Sequence, residues 1–261
     1  MSNHAPDHPP AQTSTPSNPG AQPPGEPGAP DAASTSTRVY RSPLHRFWVE
    51  WVRPMLIVLV TLTGFRSTVA DWNDVPTGSM EPTILPGDRI AVNKLAYDLK
   101  IPFTNRPLLP AWGDPSRGDV VVFFEPESGM RMVKRVVALP GDRIEVRSRR
   151  LIINGNPVQY NRDGDRGRFD HTEQIIENLP GKQHRIQLRP FQPSYADFGP
   201  ITLDKGQFFV MGDNRDNSRD SRAFGQIPRE AIVGRAFGVA LSFGERGLLS
   251  PRWGRFFSSI N

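Results

Sequence analysis

From residue 75 onward, short apolar and β-branched runs alternate with Gly, Pro, Asn and Asp turns. The runs are Arg89–Val92, Asp119–Phe124, Met130–Leu139, Arg143–Val146, Leu151–Ile153, Gln207–Met211 and Ala231–Leu241. Strands this short, with turns this frequent, predict a mainly β domain, an all-β sandwich or barrel. Pro-Gly-Asp occurs at Pro86-Gly87-Asp88 and again at Pro140-Gly141-Asp142, each time just before a strand-like run. Residues 160–200 are richer in polar and turn residues, which predicts an inserted hairpin or long loop. About 155–205 therefore reads as a less regular region within the β domain.

Upstream the pattern is different. The run Met55–Phe65 is apolar over about eleven residues, short of the roughly 20 needed to span a bilayer. Phe47 to Val52 on one side and Thr68 to Ala70 on the other extend it to a spanning length. Glu50, Arg53 and Arg66 lie near its ends, where long side chains can snorkel. Trp48, Trp51 and Trp72 fall where amphipathic rings collect at an interface. A buried or interfacial helix of a soluble protein is the competing reading. Arg38, Arg41, Arg46 and Arg53 stand on the N-terminal flank against Arg66 on the other. That imbalance favours a single-pass anchor at 46–70, with the N-terminus cytoplasmic and residues 71–261 exported. Before the anchor, residues 1–37 are a Pro-, Ala-, Ser-, Thr- and Gly-rich run holding nine of the 27 prolines. Such a run cannot bury enough surface to order itself, so 1–45 reads as a disordered cytoplasmic tail. It has no basic n-region leading into an apolar stretch and is not itself a signal peptide.

Composition narrows the chemistry. The 261 residues include no cysteine, which removes disulfides, thiolate nucleophiles and cysteine–zinc sites. Of five histidines, only His171 and His184 lie outside the tail and the apolar segment, so His-based triads and metal centres have little to draw on. No metal or other cofactor is expected. Of 32 Lys plus Arg, five are lysines: Lys94, Lys100, Lys134, Lys182 and Lys205. Arginine stays protonated at usable pH, whereas a desolvated lysine need not. A net charge of +5 suits an anionic surface, but no basic motif with interleaved aromatics points to nucleic acid.

Three segments carry unusual chemistry. In Val75-Pro-Thr-Gly-Ser-Met-Glu-Pro-Thr83, Gly78 and the flanking prolines present Ser79 on a stiffened turn; an ordinary surface turn has similar composition. In Met130–Ala138, period two places Met130, Met132, Lys134, Val136 and Ala138 on one face of a strand. Lys134 is the only charge there. Its pKa should fall from about 10.4 toward neutrality if the face is buried, or stay put if the side chain snorkels from a sheet rim. Gly212-Asp-Asn-Arg-Asp-Asn-Ser-Arg-Asp-Ser-Arg222 follows the apolar Phe208–Met211 with hardly any apolar character. Its charges must satisfy one another, bind something or be solvated. The EF-hand calcium spacing is absent.

Together and in this order, the segments resemble the type I (leader) signal peptidases, membrane serine proteases with a Ser/Lys dyad. Residues 75–102, with Gly87-Asp-Arg89 and Lys94-Leu-Ala-Tyr97, resemble the nucleophile region. Arg117–Phe123 resembles the next box, Met132–Asp142 the lysine box, and Phe209–Arg222 with Gly225 and Val233-Gly-Arg235 the last. The resemblance implies antiparallel sheets for the β domain, with Ser79 as nucleophile and Lys134 as general base. It implies an oxyanion hole from Thr77, where many bacterial members have Ser, with the Ser79 backbone N–H. Ser218 matches the lysine-orienting serine, and Asp220 with Arg222 a supporting pair. A shallow pocket for a small residue is expected near Met80, Ile84, Met132 and Val133. Two departures are the polar approach Asp71–Val75 and the single span, where some members have two.

The activity so implied is removal of signal peptides from exported preproteins after Ala-x-Ala-like sites, at a bacterial plasma (inner) membrane with the catalytic domain on its outer face. Exported preproteins, the lipid bilayer and nearby secretion machinery are the expected partners. A non-catalytic membrane-anchored β domain that binds peptides or scaffolds an export complex is the rival from another class. Self-cleaving repressors have a similar Ser/Lys β-fold but need an N-terminal helix-turn-helix, which residues 1–70 do not offer.

Overall fold

A computed structural model describes residues 42–68, 70–101, 104, 106–166, 172–189, 195–244 and 247–260. The tail expected over 1–45 lies almost wholly outside them. Two compact units result, residues 1–46 and 47–261. The first is represented by the start of α1 (Pro43–Phe47). The second opens with a π-helical turn at Trp48–Val52 and α2 (Arg53–Thr68).

Among the described residues, one helix is long and apolar enough to cross a membrane, Pro43–Gly64, and none of it is buried. Leu56, Val58, Leu59 and Val60 are each at least half exposed. Burying such side chains stabilises by about 1.5–3 kcal/mol each, so an unpartnered row of them fits a membrane-anchored protein. Trp48 and Trp51, both exposed, lie in its first half.

The rest is antiparallel β. Strands β1 (Ala70–Asp74), β2 (Asp88–Asn93), β3 (Val120–Phe124) and β4 (Arg131–Ala138) precede a four-stranded sheet's β5 (Arg143–Arg147), β6 (Arg150–Ile153) and β7 (Asn156–Pro157). Next come β8 (Gln159–Arg166), β9 (Glu173–Leu179), β10 (Lys182–Leu188) and β11 (Phe198–Thr202). The chain ends with β12 (Gln207–Met211), a short α3 (Ser221–Phe224), β13 (Ile227–Pro228), β14 (Ile232–Gly244), β15 (Gly247–Pro251) and β16 (Ser258–Ser259). The main sheet runs β1-β2-β14-β3-β4-β12-β13, and β15 and β16 pair with β14. The four-stranded sheet runs β11-β5-β6-β7 and the three-stranded one β10-β9-β8.

Strand β3 is buried on both faces: Val120 and Val122 join Met80, Ile84 and Ile90 in one cluster, and Val121 and Phe123 join Val136, Phe208 and Val210 in another. A third cluster, with Val137, Ile144, Leu151 and Phe209, joins the four-stranded sheet to the main one. The two Pro-Gly-Asp turns are built alike. Gly87 and Gly141 both sit at φ +86°, the left-handed geometry that a glycine after proline supplies. Asp88 and Asp142 each accept a hydrogen bond from the backbone three residues back, Leu85 and Leu139.

Within residues 160–200 the structure has the expected hairpin, β9–β10, and is more regular than the sequence suggests. Strands β8, β9 and β10 form a three-stranded sheet, and β11 pairs with β5. The physical reason is that the inward positions of β9 and β10 include Glu177, His184 and Gln187, all buried. A buried face made of ionisable residues has no apolar alternation to read.

Candidate active site

Ser79 stands in the middle of a 3₁₀ turn, Gly78–Met80, entered from extended Thr77. Met80 is fully buried and ties the turn to the core. Just upstream, the Val75 N–H donates to Asp88 O and its carbonyl accepts from Gly87 N–H, fixing where the turn begins. Lys134 lies on β4, between β3 and β12. Its Nζ meets the Ser79 Oγ at 2.7 Å and the Val133 carbonyl at 3.1 Å.

Lys134 is 4% exposed. Burial lowers its pKa from 10.5 to about 8, against the opposing pull of the Asp220 and Asp213 carboxylates and with help from Arg222. A neutral amine is thus accessible near physiological pH. The strand is not the purely apolar face that period two suggests, since Lys134 shares its surroundings with a hydroxyl and several charges.

Those charges belong to the segment 212–222. All its residues are buried except Asn217 and Arg219. The segment satisfies its own charges and those around it. Arg135 Nε and Nη2 bind the two oxygens of Asp213 at 2.9 and 2.7 Å, and Thr83 donates to Asp213 at 2.5 Å. Arg215 binds Glu177, which also accepts from Tyr160. Burial alone would raise the Asp213 and Glu177 pKa values, but Arg135 and Arg215 hold both below the ordinary carboxylate range. His184, between Glu177 and Asp213, is pushed below its usual value by burial despite the Glu177 contact. His171 lies outside the described residues.

Asp220 caps α3, accepts from Gly212 N–H at 3.0 Å, and is gripped by Arg222 at 2.9 and 2.8 Å. This pair shapes the loop and does not reach the Ser79 hydroxyl. Gly212 lies where the loop packs tightly against the turn. A Cβ there would lie 2.2 Å from Ser218 Oγ and 2.5 Å from the Ser79 carbonyl oxygen, so only glycine lets the loop close on the turn. Gly212→Ala should therefore lower both thermal stability and cleavage, by about 2 kcal/mol of overpacking, readable as a drop in Tm alongside kcat/KM. Ser218 is buried beside Asp220, whose carboxyl burial would raise but Arg222 above all holds below its usual value. No hydrogen bond joins Ser218 to Lys134.

A cleft of about 440 Å³ opens over Ser79 and Lys134, lined by residues 74–77, Met80, Met130–Val133, Asn217 and Arg219. Thr77, exposed, is among them. Three of the four pocket residues expected from the sequence, Met80, Met132 and Val133, line it. Ile84 does not: it is fully buried in the cluster below, because its backbone N–H bonds the Met80 carbonyl and turns it inward. Met130, Arg131 and Arg219 were absent from the expected pocket, although Met130 sits on the lysine's period-two face. The polar approach to Ser79 is also accounted for, since Asp71 pairs with Lys94 at 3.4 Å and Arg131 at 3.2 Å. Among the described residues, no cluster of His, Asp or Glu is arranged to hold a metal ion.

A hydroxyl held at hydrogen-bond distance from a desolvated amine, over an open cleft, is the layout of a nucleophile beside its base. Residues 48–241 match the family described as signal peptidase, peptidase S26, and the chain belongs to that family. Signal peptidase I of Pseudomonas aeruginosa is 36% identical over 208 residues, covering 75% of this chain and 73% of its own. That of Pseudomonas fluorescens is 36% identical over 210 residues, covering 76% and 74%. A probable signal peptidase I-2 from Synechocystis is 30% identical over 203 residues, covering 75% and 74%. A family of peptidases disfavours the non-catalytic reading.

Proposed function

We propose that this chain is a membrane-bound signal peptidase I, a serine endopeptidase that removes signal peptides from exported preproteins. The observation that carries the reading is the 2.7 Å contact between Ser79 Oγ and a Lys134 amine whose pKa is lowered to about 8. In its neutral form the amine accepts the Ser79 proton across that distance while Oγ attacks the scissile carbonyl. The Ser79 backbone N–H and the Thr77 hydroxyl, on two residues that line the cleft, stabilise the oxyanion, about 3 kcal/mol per donor. Lys134 then passes the proton to the leaving amine, and water releases the acyl group. Ser218 orients the amine in these later steps, once Oγ has turned to the substrate, while Asp220 and Arg222 keep its loop in place.

The deciding experiment is cleavage of a purified preprotein by the wild type and by Ser79→Ala. Processing by the wild type alone supports the reading; processing by both defeats it. The kcat/KM of the wild type should rise with pH through a midpoint near 8, because the protonated amine cannot accept a proton. A flat profile between pH 6 and 9 contradicts Lys134 as the base.

Substrate choice follows from the cleft. Met80, Met132 and Val133 leave a shallow apolar wall beside Ser79, suited to a small residue at the cleavage position. Placing Phe there should abolish processing, and unchanged processing removes this pocket. The helix at Pro43–Gly64 anchors the chain in a bacterial plasma membrane with its N-terminus cytoplasmic and residues 71–261 outside, near the secretion machinery. External protease on spheroplasts should then digest the β domain and spare an N-terminal epitope; the reverse pattern overturns the orientation.

A further inference from the structure

The Ser79 turn is held on its carbonyl side by a residue that the dyad chemistry does not use. Asn214 is fully buried. Its backbone N–H donates to the Ser79 carbonyl at 3.1 Å. Its side-chain Nδ2 donates to the Gly78 carbonyl at 2.9 Å and to Glu81 Oε2 at 3.1 Å. The same Glu81 oxygen accepts from Arg189 Nη2 at 3.4 Å, and the Arg189 backbone N–H donates to Asp216, two residues past Asn214. The two ends of the nucleophile turn, Gly78 and Glu81, are thus bridged by one amide group. The loop that supplies this amide also carries Asp220, which faces Lys134.

We infer that Asn214 and Glu81 form a clamp of positioning residues that sets the aim of Ser79 toward the scissile carbonyl, resting on the Ser/Lys reading above. Two pinned carbonyls fix the turn that carries the Ser79 Oγ and N–H, and nucleophile and oxyanion donor must keep their relation to within a fraction of an ångström. The side-chain amide matters for its donor. An aspartate of the same shape offers no N–H to Gly78 and sets a second carboxylate against Glu81. Lys134 makes no contact with either residue, so the clamp acts on geometry and leaves the base alone.

The test compares full-length wild type, Ser79→Ala, Asn214→Asp, Asn214→Asp with Glu81→Gln, and Glu81→Ala, each on one preprotein. Asn214→Asp should lower kcat by about ten- to a hundredfold, with KM within about twofold and the kcat/KM midpoint still near 8. Adding Glu81→Gln should restore part of kcat, since the like-charge pair is gone and the new amide at position 81 can donate to the carboxylate at position 214. A wild-type kcat in Asn214→Asp, or a loss that Glu81→Gln leaves untouched, overturns the clamp. If Asn214→Asp loses its cooperative melt, Glu81→Ala decides: a lower kcat at unchanged Tm supports the clamp, and an unchanged kcat overturns it. Cleavage by Ser79→Ala would instead defeat the underlying Ser/Lys reading.

Discussion

Lys134→Arg should fold and bind preprotein yet cleave it about 10²–10⁴-fold more slowly, the range that removal of a general base spans. Arginine keeps the charge and approximate length but does not give up its proton at usable pH. Lys134→Met offers a second route to the same result, without placing a bulky cation in a position that is 4% exposed. The methionine variant also has a stability signature. The folded lysine has its pKa lowered to about 8 from 10.5, so between those values the unfolded chain binds more protons and wild-type stability rises with pH. Lys134→Met lacks that rise. It should melt above the wild type at pH 7, by a margin that narrows toward pH 10. Substantial cleavage by either variant would show that another group is the base.

The second large effect concerns the neighbouring residue. Arg135→Met should destabilise the β domain by about 3–5 kcal/mol, because it strands the Asp213 carboxylate in the interior without its cation. In a domain of this size that corresponds to a Tm lower by roughly 10 °C or more. Arg135 is 1% exposed, Asp213 fully buried, and Arg135 is the cation that grips both of its carboxylate oxygens. The sign with pH is fixed. In the wild type the lowered Asp213 pKa contributes stability above the ordinary carboxylate range. In the variant the folded pKa rises, so the deficit should shrink as pH falls from 7 toward 5. A Tm within 2 °C of wild type, or a deficit independent of pH, rejects this account; thermal melts at three pH values suffice.

Much of this arrangement is legible in the sequence because it is local. Period-two alternation and Pro-Gly punctuation mark β2, β3, β4, β12 and β14 to within a residue or three at each end. The polar run after Phe208–Met211 stands out by composition, but whether its charges satisfy one another, bind something or are solvated is settled only by the fold. What stays hidden depends on partners distant along the chain. Arg135 shows its role only once Asp213, 78 positions away, is folded against it. Glu177 and His184 read as loop chemistry because their buried face is polar. Ile84 is adjacent to the dyad in sequence but points down, since one backbone bond turns the chain there. The role of Asn214 could not be read at all, because its backbone N–H and side-chain amide bind carbonyls, which every residue has.

The order of strands has a consequence for when the enzyme can become active. In the main sheet, β14 lies between β2 and β3, so the edge bearing the Ser79 turn and the edge bearing Lys134 are joined there by the last long strand of the chain. Until residues 232–244 are threaded between them, nothing in the ladder sets the separation of hydroxyl and amine. Such distant pairings close late and slowly in folding. Before that pairing the chain is thus an unarmed precursor. Assembly of the site is tied to one strand that must find both of its neighbours, β2 and β3.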